Sequence, residues 1–70
     1  MALSDGKVNT TYIIKEIEVA EEGLQDFLFS LGCYPGEEVT IISKLSDNII
    51  INVKDARYSI DSDLAKSILV

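Results

Sequence analysis

Residues 31–42, LGCYPGEEVTII, change character halfway along the stretch. The first half closes an apolar helical pattern at Leu31, and Gly32 follows it as a typical helix stop. Tyr34-Pro35-Gly36 then suits a tight turn, since proline presets φ at the second position and glycine accepts a positive φ at the third. The second half is β-branched. The stretch therefore predicts a helix exit, a turn and a strand, with Gly32, Pro35 and Gly36 setting the backbone.

The residues before this stretch have a helical period. Apolar side chains recur at i, i+3, i+4 and i+7, on Leu24, Phe27, Leu28 and Leu31. Glu21 and Glu22 stand where a helix N-terminus favours negative charge. We expect a helix over about residues 21–31, with this stripe as its apolar face.

Five other segments are rich in β-branched and aromatic residues and predict short strands, namely residues 11–19, 39–45, 49–53, 57–60 and 67–70. Asp61 is suited to cap a single helical turn before the last strand. Residues 1–9, which include Ser4, Asp5 and Gly6, look like a turn or a frayed lead-in.

This order of elements predicts a mainly β fold. We expect a small five-stranded SH3-like barrel with one α-helix between strands 1 and 2 and a short helical turn before the last strand. Closing the sheet would hide the edges of an apolar strand such as residues 49–53. An open α+β sheet with one helix on its face is the alternative that periodicity leaves open. Seventy residues without a repeat or linker predict one domain, residues 1–70.

Composition narrows the class of protein. Hydrophobic residues make up 47% and charged residues 26%, and no apolar run predicts a membrane span or a signal peptide, so we expect a soluble, complete chain without membrane insertion. Twelve acidic and six basic residues give a net charge of −6, which opposes binding to nucleic acid. One cysteine cannot form an internal disulfide, which favours the cytoplasm.

Several motifs together resemble the FeoA family. They are Leu3-Ser4-Asp5, Tyr12-Ile13-Ile14-Lys15-Glu16-Ile17, Leu28-x-x-Leu31-Gly32-x-x-Pro35-Gly36-x-x-Val39 and Ala65-x-x-Ile68-x-Val70. The resemblance covers nearly the whole chain, and the Leu-Gly-x-x-Pro-Gly frame is its most specific part. It implies a small cytoplasmic, SH3-like accessory protein of bacterial ferrous iron transport. The partner that it implies is the cytosolic part of the membrane permease FeoB, reached through protein contact rather than chemistry.

The chain departs from the family pattern at three places. Phe27 stands where members commonly have arginine, Ser46-Asp47-Asn48 replaces Gly-x-Pro between two strands, and Ile60-Asp61 replaces Leu-Arg. Both basic positions of the pattern are therefore apolar or acidic here. These differences point to a specialised member with a changed partner surface.

The residues themselves offer little chemistry. Cys33 has no histidine to act as its base, so a small buried hydrophobic residue or a half-exposed turn residue is the simpler interpretation. Glu16, Glu18, Glu21 and Glu22 match no metal-loop spacing, so a solvated acidic face is favoured over a metal site. Asp61-Ser62-Asp63 is interpreted as a cap, and the four glycines form no nucleotide motif. We expect no enzyme activity, no cofactor and no metal site.

Candidate partner-binding residues are Phe29, Tyr34, Lys44 and Arg57. Phe29 lies about 140° around the helix from Leu24 and is either exposed or packed under a loop. Lys44 and Arg57 could meet an acidic partner. The helix and the turn after it are the preferred contact surface. The rival interpretation is an SH3-like adaptor or ligand sensor that serves no transporter, although the sequence offers few aromatic residues for a proline-rich ligand. The oligomeric state is left open.

Overall fold

A computed structural model describes all 70 residues. The strands are β1 Thr10–Ile13, β2 Glu16–Ile17, β3 Glu38–Lys44, β4 Asn48–Val53, β5 Ala56–Asp61 and β6 Ile68–Leu69. The helices are a 3-10 helix at Leu3–Asp5, α1 at Glu22–Ser30 and α2 at Ser62–Lys66. Strands β1, β3, β4 and β5 form one sheet in that order, and β2 and β6 form a second. The prediction of a mainly β fold is confirmed.

The predicted five-stranded barrel is wrong in detail. The structure has six strands in two sheets that do not close, and α1 lies between the second and third strands. The reason lies in the predicted first strand, which divides at the buried residue Ile14. The Ile14 N–H donates to the Glu37 carbonyl at 2.9 Å, whereas the next N–H, that of Lys15, donates to the Leu69 carbonyl at 2.7 Å. The chain therefore passes from one sheet to the other here.

The four-stranded sheet is antiparallel throughout. Ile41 pairs with Ile51, and Ile51 pairs with Tyr58. The register of β3 shifts between Ile41 and Ser43, as a β-bulge does, and this increases the local twist of the sheet. Strands β4 and β5 are joined by the two residues Lys54 and Asp55, with φ of 50° and 64°. Positive φ at both positions is typical of the type I′ turn, whose twist matches that of its strands.

The core is small and entirely apolar. It consists of Leu3, Ile14, Leu28, Cys33, Val39, Ile41, Ile49, Ile51, Val53, Ile60, Ala65, Ile68 and Val70. Residues 1–9, predicted as a turn or a frayed lead-in, belong to this fold and contain the 3-10 helix. Leu3 is fully buried, Ala2 forms a bridge with Leu69, and the Val70 N–H donates to the Met1 carbonyl at 2.8 Å.

Helix α1 agrees with its predicted range to within one residue at each end. Its apolar stripe, in contrast, is only partly buried. Leu28 is fully buried, whereas Leu24 and Phe27 are 38% and 45% exposed. Leu31, directly after the helix, is partly buried against the core. The stripe thus contacts the core at its C-terminal end and leaves Leu24 and Phe27 uncovered. No helix of the chain has the length and hydrophobicity required to cross a bilayer.

Candidate functional site

The end of α1 is held by a Schellman motif. The Cys33 N–H donates to the Leu28 carbonyl at 3.0 Å, and the Gly32 N–H donates to the Phe29 carbonyl at 2.9 Å. Gly32 has φ of 97°, the left-handed conformation that this motif requires. Leu28 and Cys33, three residues before and two after the cap residue Leu31, are both buried, as the hydrophobic contact of the motif demands. The helix therefore ends at a defined angle to the next segment.

The next segment is a tight turn. The Glu37 N–H donates to the Tyr34 carbonyl at 3.0 Å, with Pro35 and Gly36 between them. Gly36 has φ of 94°, which together with proline at the second position is typical of a type II turn. The Gly36 N–H also donates to the Ile14 carbonyl at 2.7 Å. This bond attaches the turn to the point where the chain crosses between the two sheets.

The helix exit and the turn bring two candidate residues together. The rings of Phe29 and Tyr34 stack with their centroids 4.9 Å apart and their planes 19° from parallel. Phe29 is half-buried beneath Tyr34, which is 44% exposed. We call these two residues the aromatic pair. The structure thus places Phe29 against the following turn, the packing that sequence analysis left as one of two alternatives.

A second apolar surface lies on the opposite flank of α1. Leu24 and Phe27 precede the buried Leu28 on the helix, and both are exposed. Beside them is a cleft between the start of α1 and α2, lined by Val19, Ala20, Leu24, Asp61, Asp63, Leu64 and Ser67. We call this cleft the α1–α2 cleft. Sequence analysis placed Leu24 and Phe27 on the apolar face of the helix, for which burial is the usual expectation. The sequence did contain a signal against this, since a core of this size has little room for every residue of the stripe.

The predicted basic residues do not gather at this surface. Lys44 donates from Nζ to the carbonyls of Ser4 and Gly6 at 2.8 and 3.0 Å, and so fastens the 3-10 segment to β3. Arg57 is exposed on β5 and makes no side-chain hydrogen bond or ion pair. Sequence position alone could not reveal that Lys44 already has structural partners.

The interior holds no reactive group in a position to act on a ligand. Cys33 is fully buried, and burial raises the pKa of its thiol, which keeps it in the unreactive protonated form. The chain brings together no group of three or more His, Cys, Asp or Glu residues that could hold a metal ion.

A hollow beside the turn is lined only by Gly36, Glu37, Glu38, Asn52, Lys54 and Asp55. Within it Lys54 forms an ion pair with Glu37 at 3.2 Å. The uncovered apolar flanks of α1 are therefore the candidate site.

Comparison with known proteins identifies the family. The model of the FeoA domain matches residues 1–70. The chain belongs to the FeoA family. The resemblance found in the Leu-Gly-x-x-Pro-Gly frame is thereby confirmed. No curated protein sequence matches the chain.

Solved FeoA structures share the fold. An iron uptake regulatory protein FeoA is 25% identical with a TM-score of 0.87, over 97% of this chain and 91% of that one. The Stenotrophomonas maltophilia FeoA, solved with zinc, is 24% identical with a TM-score of 0.88, and the match covers 100% of this chain and 88% of that one. That protein is described as a prokaryotic SH3 domain protein and suggested as a ferrous iron transport activating factor. A manganese-dependent transcriptional repressor is 16% identical with a TM-score of 0.89, and the match covers 97% of this chain and 39% of that one. At this identity the likeness shows a shared fold alone.

Proposed function

We propose that this FeoA-family chain is a non-enzymatic accessory protein of bacterial ferrous iron transport, and that it acts by binding the cytosolic part of a FeoB-like permease. The proposal is supported by the family match over the full chain and by the transport role suggested for the S. maltophilia FeoA. A function of this kind places the protein in the cytoplasm.

The observation that carries the proposal is the uncovered apolar surface of α1. Leu24 and Phe27 are exposed on one flank, and the aromatic pair is exposed through Tyr34 on the other. Aromatic side chains that are held by neighbours but still reach solvent are frequent anchors of protein interfaces. A partner that covers α1 would bury both flanks at once. Such a role requires no reactive group, in agreement with the buried thiol of Cys33.

The charges around α1 define the chemistry of the partner. Glu21 and Glu22 stand at the start of the helix, and Asp61 and Asp63 line the α1–α2 cleft. A permease segment with apolar side chains flanked by Lys or Arg would complement both the cleft and its acidic border. Phe29 and Tyr34 remain proposed contact residues. Of the two proposed basic residues, Arg57 is free to meet a partner, whereas Lys44 would first have to leave the Ser4 and Gly6 carbonyls.

An NMR titration tests this function directly. The ¹⁵N-labelled chain is titrated with the purified cytosolic domain of the FeoB from the same organism. Amide shifts should concentrate in α1 and in the turn that contains Tyr34. Phe27→Ala should weaken binding by about tenfold, as expected for an aromatic interface anchor.

The matched control is Leu45→Ala, since Leu45 is 58% exposed but lies at the end of the β3–β4 hairpin. This variant should bind as the unmodified chain does. Spectra that stay unchanged at high concentrations of the permease domain would refute direct binding. Equal losses in both variants would show that the contact surface is not on α1.

A further inference from the structure

The outer edge of β5 is an open edge of the four-stranded sheet. Strand β5 pairs with β4 over all six of its residues and has no strand on its other side. Proline, lysine and register shifts are among the usual means by which a sheet edge avoids pairing with another chain, and β5 has none of them. Its two charged residues, Arg57 and Asp61, are of opposite sign. The edge is thus able to accept a further strand.

The two-residue turn determines which backbone groups face outward. In a hairpin of this type the residues that flank the turn, here Val53 and Ala56, form a hydrogen-bonded pair, and such pairs alternate along the ladder. Ala56, Tyr58 and Ile60 therefore direct their N–H and C=O groups to β4. Arg57 and Ser59 direct theirs outward, together with the N–H of Asp61.

The charges along this edge are self-complementary. If a second β5 lies antiparallel with Ser59 opposite Ser59, then Arg57 stands opposite Asp61 at both ends of the pair. Residues 57, 59 and 61 alternate along the strand with Tyr58 and the buried Ile60, so all three side chains lie on the same face of the sheet. Opposite charges directly across a strand pair stabilise it, whereas like charges destabilise it.

We propose that two copies of this chain associate through β5, in antiparallel register about Ser59. The two Ser59 residues exchange N–H···O=C bonds, and each Asp61 N–H donates to the Arg57 carbonyl of the other copy. Each Arg57 guanidinium also meets the Asp61 carboxylate of the other copy. Asp61 retains its cap of α2, because Oδ1 accepts from the Leu64 N–H at 2.8 Å and the second carboxylate oxygen remains available.

This association is distinct from the proposed function. It uses the β5 edge, whereas permease binding is assigned to the flanks of α1. Arg57 and Asp61 are named in both proposals, so Ser59→Lys, which changes neither of them, shows whether one fails without the other. The net charge of −6 on each copy opposes association at low ionic strength, and salt near the physiological range screens this long-range repulsion. We therefore expect a reversible, concentration-dependent dimer.

Sedimentation velocity of the unmodified chain, up to about 1 mM, measures the association. Ser59→Lys places two like charges opposite each other at the centre of the pair and should weaken the dimer by about fivefold or more. The matched control, Ser46→Lys, adds the same charge at an exposed position in the β3–β4 turn and should leave the dimer intact. A chain that stays monomeric over this range would overturn the proposal and leave the β5 edge to an extended segment of another protein.

A charge exchange tests the register. Arg57→Glu and Asp61→Lys should each weaken self-association, because each places like charges opposite one another. Mixing the two variants should restore a dimer, since the introduced glutamate of one copy would face the introduced lysine of the other, and the unchanged Asp61 and Arg57 would face each other. Circular dichroism checks the fold of Asp61→Lys, which loses the α2 cap. A mixture that remains as weak as the separate variants would refute this register.

Disulfide trapping gives an independent measure that does not depend on charge. In the proposed dimer the two Ser59 residues form a hydrogen-bonded antiparallel pair. The Cα atoms of such a pair lie about 5.5 Å apart, within the range of about 4.4–6.8 Å that a disulfide spans. Ser59→Cys should therefore oxidise to a symmetric covalent dimer, while the buried Cys33 stays reduced. Ser46→Cys is the control. Equal dimer yields from both variants would indicate random collision and contradict the proposed pairing.

Discussion

The ring of Phe29 stacks on the ring of Tyr34 across the exit of α1, with 4.9 Å between their centroids. This contact joins the last turn of the helix to the type II turn, so that the candidate docking surface and the backbone that supports it form one unit. The Schellman motif at Gly32 and Cys33 supplies the connection between them.

Replacing Tyr34 should affect both stability and binding. Tyr34→Ala removes the stacked ring and should lower the free energy of unfolding by about 0.5–1.5 kcal/mol. It should also weaken binding of the permease domain. Tyr34→Phe keeps the ring and should match the unmodified chain in urea unfolding. If Tyr34→Ala proved as stable as Tyr34→Phe, the stacking contact would contribute nothing to the fold.

Two glycines at opposite ends of α1 should respond in opposite ways. Gly32→Ala forces a residue with a Cβ into φ of 97° and brings that Cβ within 3.3 Å of Lys54 Cδ, so it should destabilise the chain by about 1–2 kcal/mol. Gly23→Ala lies in α1 with nothing within 4 Å of the new Cβ, and should stabilise by up to about 1 kcal/mol. Urea unfolding measures both. A stabilising Gly32→Ala would contradict the helix-ending role assigned to Gly32.

Glycine is required at position 6 because a side chain would not fit there, and not because of the backbone conformation. A Cβ at this position would lie 2.6 Å from Ile41 Cδ1 and 2.8 Å from Tyr12 Cε2, whereas its φ of −74° suits any residue. Gly6→Ala should therefore destabilise by about 1–3 kcal/mol through overpacking. Gly36→Ala is the complementary control, because that position has open space but a positive φ. Combining Gly6→Ala with Ile41→Val, which trims the clashing methyl, should recover part of the loss; no recovery would argue against a steric cause.

Cys33 should make stability depend on alkaline pH. Burial raises the pKa of its thiol above the ordinary value of 9.0, so the unfolded chain releases the thiol proton first as pH rises. The neutral, buried thiol makes its full contribution to the free energy of unfolding below the ordinary pKa. This contribution is lost as pH rises from there through the raised pKa of the folded state. Urea unfolding between neutral and alkaline pH should show a steeper decline for the unmodified chain than for Cys33→Ala. Parallel pH profiles would show that the thiol does not titrate differently on unfolding.

Local sequence signals were sufficient for the parts of the fold that depend on neighbouring residues. The helix ended where Gly32 predicted, and α2 follows the predicted cap, with the Asp61 carboxylate accepting from the Leu64 N–H. Of the two alternatives for Cys33, a small buried hydrophobic residue or a half-exposed turn residue, its complete burial selects the first. Each of these features depends mainly on residues that are close together along the chain. A sequence pattern can therefore predict it.

The division of the first strand could not be predicted in this way. Residues 11–19 have one continuous β-favouring composition, but Ile14 and Lys15 donate to carbonyls of different sheets. Likewise, a helical stripe shows which residues share a face but not how much of that face a neighbour covers. Leu24, Phe27 and Leu28 share the stripe, yet of these three only Leu28 is buried, because the stripe meets the core at its C-terminal end, at Leu28 and Leu31.

Motif spacing and local backbone preference are enough to specify the family, the mainly β class, the two α-helices and the turn geometry around Pro35, because each follows from residues close together along the chain. The two-sheet architecture, the structural use of Lys44, the stacking of Phe29 on Tyr34 and the free edge of β5 emerge only in the folded molecule. Each of these depends on how separate segments pack against one another, and residue order alone does not specify which segments meet.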